Sequence, residues 1–446
     1  MDRPLDNAEK SGVGMSRREW TVVALLVFSV VINYVDRSNL SLAVPVLEKQ
    51  FSLSSFQAGE LLAAFFWTYA LVQVVGLAGW LADRFHVGWV LFGGYLLWSL
   101  ATAATGLTAS FTALFAFRLL LGLGESVAYP CYSRVFAAMP QEHRGRANAL
   151  IDAGTKLGPA GGAFVGGMVL VHLGWRMLFV FFGLGALVWL PFWFWVMPRG
   201  GDSRNAADAV EANPEVDAAV RNIAAEPSIA KMLQLPCAWG SFVGHFCGNY
   251  FYYFLLAWLP AYLVQEVHLS IGAMSRLTSA VFFVIACSTL VCGFASDRLI
   301  AGGVSPTIVR RTLASGGLVL ASTLILFSLV HGHQLLALGL LTIACMGQGA
   351  YASNHWAVTQ TLAGPVMAGR WSSLQNGVAN FSGIVASILT GWIMQNNGSA
   401  RLAFTVAGVV ALIGGLSWGL LVRRVEPVKW EEIGRKRATA LGGELG

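Results

Sequence analysis

The chain has 446 residues, of which 56% are apolar and only 12% are charged, and its formal net charge is +6. Its mean hydropathy is +0.63. Because about a quarter of the residues of a soluble domain are charged, this composition excludes an ordinary soluble globular protein. The basic residues form no cluster on one soluble face, so the net charge does not indicate a nucleic-acid partner.

Apolar segments long enough to cross a bilayer recur along the chain. A helix that crosses about 30 Å of hydrocarbon needs about 20 residues. The segments do not alternate apolar and polar residues as the strands of a membrane barrel do. The sequence therefore predicts an all-α integral membrane protein with twelve transmembrane helices, which we number as spans 1 to 12, over residues 20–45, 57–82, 88–107, 111–139, 146–171, 175–197, 237–265, 272–296, 309–330, 334–360, 371–395 and 400–422.

The longest polar stretch, 198–236, separates six predicted spans from six. We expect a tail (1–19), a six-helix bundle (20–197), a linker loop (198–236), a second six-helix bundle (237–424) and a second tail (425–446). Lys and Arg are concentrated in the tails, in the linker and in the loops on the same side. By the positive-inside rule, this side is expected to be cytoplasmic.

An internal repeat indicates that the two bundles are pseudo-symmetric. The same pattern, a glycine followed four and five residues later by Asp-Arg, comes after span 2 and again after span 8, at Gly79, Asp83 and Arg84 and at Gly293, Asp297 and Arg298. A second echo opens spans 5 and 11, at Gly145-Arg146 and Gly369-Arg370. Repeated halves are typical of secondary transporters.

The sequence gives no sign of a cofactor or a metal. Its six cysteines lie in apolar segments without zinc-type spacing, and we interpret them as small core residues. The glycines of 122–124 and 154–167 follow no strand, so they are not a nucleotide fingerprint. Since the chain also lacks a P-loop, we expect neither ATP-driven transport nor enzyme activity.

Further motifs lie within the spans: Asn33 to Leu40 in span 1, Arg118 to Pro130 in span 4, Trp258 to Leu263 closing span 7, Ser353 to Trp356 in span 10 and Gln375 to Asn380 in span 11. With the repeated Asp-Arg loops, they resemble the major facilitator superfamily. Within it they resemble the anion:cation symporters, bacterial sugar-acid and aromatic-acid permeases related to sialic acid and vesicular glutamate carriers. One departure is the sequence Phe85 to Trp89, where the family usually has a glycine and basic residues.

Four ionisable residues lie deep in spans 1 and 4. A charge near the bilayer centre costs several kcal/mol, about 2.5–3.5 by insertion scales, so these residues must face a cavity or a partner. Arg37 offers fork-shaped donors to a carboxylate. The resemblance implies that Asp36 and Glu125 carry coupling protons, with Arg37 and Arg118 as changing partners. The alternatives are a buried ion pair anchoring span 1 to span 4, or a static bridge between Arg118 and Glu125.

Asp152 and Lys156 are spaced i, i+4 in span 5. At this spacing they can neutralise each other on one helix face, which is the reading we favour. If Lys156 instead faces the cavity, it is a second cation for a dianionic substrate.

Amide, phenol and imidazole side chains recur in both halves and could bind a ligand rich in hydroxyl groups. Such residues also join membrane helices through hydrogen bonds, so each has a structural alternative. The expected lining residues are Tyr34, Tyr69, Gln73, His245, Asn249, Asn354, Trp356 and Asn376.

Together these features predict a monomer of a bacterial cytoplasmic membrane that imports a small organic anion with protons, by rocking of its two halves. The loops with Gly79, Asp83, Arg84, Gly293, Asp297 and Arg298 are expected to gate this motion. A sugar acid (hexuronate, aldonate or aldarate) is the expected substrate, and an aromatic acid is the alternative. A proton-driven drug exporter is a more distant alternative. A transporter-like sensor without transport would normally carry a signalling domain, and neither the tails nor the linker is large enough for one.

Overall fold

The computed structural model describes residues 16–137, 139, 141–197, 228–330 and 332–430. Most of the predicted N-terminal tail, residues 198–227 of the predicted linker and residues 431–446 of the predicted C-terminal tail lie outside this description. The side chain of Arg146, part of the second predicted echo, lies outside it as well.

All regular secondary structure in the described part of the chain is helical. The first half contains α1 to α8: Arg17–Phe51, Ser55–Val74, Leu77–Arg84, Val87–Thr105, Phe111–Glu125, Ala128–Ala137, Gln141–Ala186 and Trp189–Val196. Within the predicted linker, a short α9 (Ile229–Met232) precedes the second half. Its helices are α10 to α16: Pro236–Gln265, Ile271–Ala301, Pro306–Ala321, Leu324–Leu329, Gln334–Ala352, His355–Asn397 and Arg401–Leu421.

Local sequence explains where these helices begin and turn. Ser16 and Ser54 form capping boxes with Glu19 and Gln57 at the starts of α1 and α2, which satisfies N–H groups that have no partner within the helix. The long helices α7 and α15 each turn at a glycine with positive φ, Gly174 at 79° and Gly364 at 64°. An L side chain is disfavoured in this conformation, so glycine permits the reversal there.

The helices give twelve membrane crossings. Within the described residues, nine helical stretches are long and apolar enough to cross a membrane, or ten if α2 and α3, which meet at 59°, count as one broken span. One of the nine, Ala147–Val196, has 50 residues and turns at Gly174, so it supplies two crossings. The buried, more polar α10 has 30 residues and supplies the twelfth. The predicted fold class is confirmed.

Each half is a six-helix bundle, and specific helices pack across the boundary between the two. In the first half α1 packs on α7, and α5 packs on α2 and α4; in the second, α10 packs on α15 and α16. Between the halves, α2 packs on α15, α7 on α11 and α1 on α10. We call the face at which α1 begins and α16 ends the terminal face, and the other the opposite face.

The halves are in close contact at the opposite face. There Glu48 at the end of α1 accepts a hydrogen bond from Gln265 at the end of α10. The Phe56 amide donates to Gln395 Oε1 at 3.2 Å. A Cβ added to Gly59 would lie 2.6 Å from the Ser387 carbonyl oxygen, so only glycine allows α2 and α15 to approach so closely. The opposite face is therefore closed in this conformation.

Candidate functional site

A buried ion pair joins helices α1 and α5 of the first bundle at mid-span. Arg37 Nε on α1 donates to Glu125 Oε2, the last residue of α5, at 2.8 Å. The two side chains are only 3% and 0% exposed. Burial removes both charges from water, so each depends on the other for electrostatic stabilisation.

Three aromatic rings surround the Arg37 guanidinium. Its Cζ atom lies 4.6 Å from the ring centroid of Tyr34, 4.7 Å from that of Phe65 and 4.8 Å from that of Tyr69. The ring faces attract the cation and restrict its rotamer. The buried Nη2 atom has no hydrogen-bond partner in the described chain. Arg37 therefore retains donor capacity for an anionic group besides Glu125.

Asp36 and Arg118 lie in the same region without forming an ion pair in the part of the chain described. Arg118 Nη1 donates to the main-chain oxygen of Asp36 at 3.4 Å. Asp36 Oδ1 accepts from Asn39 Nδ2 at 3.3 Å, while Asp36 Oδ2 and Arg118 Nε are buried without a partner. The alternative of a static bridge between Arg118 and Glu125 is not what the structure contains, since Glu125 pairs with Arg37 instead.

A small cavity between the two halves adjoins these residues. Arg37 and Arg118 line it together with apolar side chains from α2 and α10, namely Leu62, Phe65, Phe66, Tyr253, Leu256 and Ala257. Phe66 and Tyr253 meet edge to face across the boundary, with centroids 4.6 Å apart. The arginines thus lie where the halves meet, in apolar surroundings that strengthen electrostatic attraction.

Lys156 and Asp152 form the i, i+4 pair that the sequence favours. Lys156 Nζ lies 3.3 Å from Asp152 Oδ1 and 2.8 Å from Thr155 Oγ1. Nζ also lies 5.6 Å from the ring centroid of Tyr252 in the second half. Lys156 is therefore both paired and directed toward the boundary between the halves.

The second half contributes a buried polar and aromatic cluster. Gln375 Nε2 lies 3.1 Å from His245 Nδ1, and Gln375 Oε1 accepts from Thr359 Oγ1 at 3.0 Å. The His245 ring centroid lies 4.8 Å from that of His355 and 4.9 Å from that of Trp356. His245 and Trp356, both expected to line the site, are thus brought together, with His355 and Gln375 beside them.

The other expected lining residues differ in their surroundings. Asn249, Trp356 and Asn376 are partly exposed, Asn249 and Asn376 near the middle of α10 and α15 and Trp356 at the start of α15. In contrast, Gln73 donates to the Ser126 carbonyl oxygen at 2.9 Å, and the buried Asn354 accepts from Ser296 Oγ at 2.9 Å. These two contacts are structural, and they do not bring Gln73 or Asn354 to Arg37.

The two repeated motifs lie at the terminal face, within helices and not in the loops that the sequence predicts. Gly79, Asp83 and Arg84 belong to α3, and Gly293, Asp297 and Arg298 lie toward the end of α11. Asp83 Oδ1 accepts from Arg134 Nη1 at 2.5 Å, and the two side chains are 71% and 33% exposed. Arg84, Asp297 and Arg298 are exposed. Neither Gly79 nor Gly293 would place an added Cβ within 4 Å of another atom. Open space therefore surrounds both glycines, and a gating role for these motifs stays a prediction.

No group of three His, Cys, Asp or Glu residues in the described ranges could hold a metal ion. The geometry instead combines buried cations, unpartnered donors and carboxylates between two packed bundles. This arrangement suits binding of an anion.

Comparisons with known proteins agree with this geometry. The family model described as Major Facilitator Superfamily matches residues 26–385 and, in a second match, 299–443. The D-galactonate transporter of Escherichia coli O6:H1 is 29% identical over 442 residues, covering 96% of this chain and 100% of the relative. The Probable galactarate/D-glucarate transporter GudP of Escherichia coli K12 is 29% identical over 438 residues, covering 93% and 96%.

A solved structure supports the fold. The crystal structure of a bacterial homolog to the human lysosomal transporter Spinster, in an inward-facing and occupied conformation, matches with a TM-score of 0.73. The match covers 92% of this chain and 98% of that one, at 18% identity. At this identity the likeness concerns the fold alone.

Proposed function

The chain belongs to the Major Facilitator Superfamily, and on that premise we propose that it is a proton-coupled symporter that imports a sugar acid: a hexuronate, an aldonate or an aldarate. The observation that carries this proposal is the buried Arg37–Glu125 pair beside the cavity between the two halves. It provides a cation for the substrate and a carboxylate for the proton in one place.

Arg37 is the proposed carboxylate-binding residue. Its guanidinium can form two parallel hydrogen bonds to a carboxylate, a geometry that lysine cannot match. The unpartnered Nη2 and the three surrounding rings hold the donor ready. Tyr34 and Tyr69 add phenol hydroxyls next to it.

Asp36 and Glu125 are the proposed proton carriers. While both carboxylates are charged they offset the charges of Arg37 and Arg118, and the site has little attraction for an anion. Protonation removes that offset, so Arg37 is released from Glu125 and becomes available to the substrate carboxylate. Substrate and protons therefore bind together, which couples uptake to the proton gradient.

The contacts at the opposite face support an alternating-access mechanism. The bond between Glu48 and Gln265 and the close packing of Gly59 on Ser387 support closure of that face here. Rocking of the first half on the second would break these contacts and expose Arg37 from the other side. In the proposed orientation the terminal face is cytoplasmic, in the cell inner membrane of a bacterium, and the chain works as a monomer.

The second half is proposed to recognise the hydroxyl groups of the substrate. His245 and Asn249 on α10, with Trp356 and Asn376 on α15, supply donors, acceptors and an aromatic ring. Relatives named for galactonate and for galactarate and D-glucarate support a sugar acid. Asn354 and Gln73 act through the positions of their helices, because both already have protein partners.

An aromatic acid is the second candidate. The rings of Tyr34, Phe65 and Tyr69 around Arg37 favour it, since an aromatic substrate could stack beside its own carboxylate contact.

Uptake into proteoliposomes under an inward pH gradient tests the proposal. Labelled aldonates, hexuronates, aldarates and phthalate-type acids are compared, with Arg37→Ala as the control. We expect wild type to accumulate a sugar acid and the Arg37→Ala variant to accumulate none. Accumulation of aromatic acids alone would select the second candidate, and no gradient-dependent uptake of any acid would contradict both.

A further inference from the structure

Lys156 and Asp152 form an ion pair within the first bundle that the proposed proton coupling does not use. The Lys156 side chain is 13% exposed and that of Asp152 is 34% exposed. Two of the three N–H bonds of the ammonium group are directed at Asp152 Oδ1 and Thr155 Oγ1. The pair is therefore intact, carries no net charge and has one remaining donor.

The pair packs against α10 of the second half, the helix that also lines the cavity at Arg37. The main-chain oxygen of Thr155, between Asp152 and Lys156 on α7, accepts a hydrogen bond from the Tyr252 hydroxyl of the second half at 3.0 Å. The ring centroid of Tyr252 lies 5.6 Å from Lys156 Nζ and 5.8 Å from the ring centroid of Tyr253. Since Tyr253 lines the cavity together with Arg37, this pair of tyrosines connects the surroundings of Lys156 with those of Arg37.

We propose that the Lys156–Asp152 pair selects substrates by the charge of the end remote from Arg37, an inference that rests on the proposed function. Lys156 donates a hydrogen bond to a hydroxyl group at that end. Asp152 offsets the lysine charge and repels a second carboxylate. The preferred substrate is then a monocarboxylic sugar acid whose far end is a hydroxyl group, and not a dicarboxylic one.

The physical basis is the difference between a neutral pair and a free cation. A paired lysine remains a donor for a hydroxyl oxygen, but a second substrate carboxylate approaching it also approaches Asp152. Like charges at such short range repel each other most strongly where little water screens them. Removal of the Asp152 charge would convert the same lysine into a free cation that favours a second carboxylate.

The test uses substrate pairs that differ only at the far end: D-galactonate with galactarate, and D-gluconate with D-glucarate. Equilibrium binding of each is measured to purified wild type, Asp152→Asn and Lys156→Gln. We expect wild type to bind the monocarboxylate at least 10-fold more tightly. Asp152→Asn should shift the ratio toward the dicarboxylate by about 10-fold, whereas Lys156→Gln should weaken monocarboxylate binding without strengthening dicarboxylate binding.

The outcomes separate this inference from the proposed function. If wild type binds a sugar acid but prefers the dicarboxylate, or if Asp152→Asn leaves the ratio within twofold, the charge selection is wrong and the symporter proposal stands. If wild type binds neither member of either pair, the selection is wrong, and if it also binds no hexuronate in the same assay, the sugar-acid function fails with it. Asp152→Glu, which keeps the charge, should retain the wild-type preference and controls for damage to folding.

Discussion

Arg37 on α1 and Glu125 on α5, separated by 88 residues of sequence, meet at 2.8 Å in the buried centre of the first bundle. Each side chain neutralises the charge of the other in a region that is shielded from water. A proton would therefore compete with Arg37 for Glu125, and the substrate carboxylate would compete with Glu125 for Arg37, so the two bind together. Most of the predictions below follow from this exchange of partners.

Arg37→Ala should leave Glu125 buried without its partner and lower the free energy of unfolding by about 3–5 kcal/mol. Sugar-acid binding should be lost as well. Thermal unfolding in detergent and equilibrium binding measure the two effects. In the double variant Arg37→Ala/Glu125→Gln the lone charge is gone, so stability should recover while binding stays absent. Wild-type affinity in Arg37→Ala would refute its role in binding.

Glu125→Gln and Asp36→Asn each imitate a permanently protonated carboxyl. Because neither can release a proton, gradient-driven accumulation should be abolished while exchange of internal for external substrate continues. Glu125→Gln should also bind substrate more tightly, since Arg37 no longer has a competing carboxylate. Counterflow and pH-driven uptake in the same vesicles make the comparison. Undiminished accumulation in both variants would exclude these residues as proton carriers.

Gly59→Ala should disturb closure of the opposite face, because the new Cβ would lie 2.6 Å from the Ser387 carbonyl oxygen. A reporter at Gln265→Cys, introduced after replacement of the six native cysteines, should react several-fold faster with an impermeant maleimide applied from that face. Gly93→Ala is the matched control, since no atom lies within 4 Å of its added Cβ. Equal reactivity in the two variants would argue against the Gly59–Ser387 contact as the closed gate.

Asp83→Asn should separate gating from stability. The pair with Arg134 is exposed, and such surface pairs contribute about 0–1 kcal/mol. The melting temperature and the equilibrium affinity for substrate should therefore change little, while the initial rate of uptake falls several-fold. Asp297→Asn tests the repeated motif in the second half. A normal rate of uptake in both variants would contradict a gating role for these two motifs.

The fold could be predicted from the sequence because bilayer thickness sets the length of each apolar run, and a 20-residue ruler finds the spans. The interruptions were harder to predict. Gly174 and Gly364 reverse the chain at positive φ within helices that continue almost without a break, whereas many other glycines in the chain serve close helix packing.

The site could be predicted only in part. Spacing along one helix places Arg118 and Glu125 on the same face, but the partner of Glu125 is Arg37, and that choice depends on how α1 and α5 converge. Phe65 was not expected at the site, because an aromatic residue within an apolar run gives no signal of its own. Gln375 lay in a recognised motif, yet only packing brings it to His245.

The most direct test of proton-coupled transport is the internal pH of proteoliposomes when a transported sugar acid is added outside, without any imposed gradient. Co-transport predicts acidification of the lumen that follows the uptake of labelled substrate, and that disappears in Glu125→Gln. Uptake of the acid by wild type with no change of internal pH would contradict proton coupling.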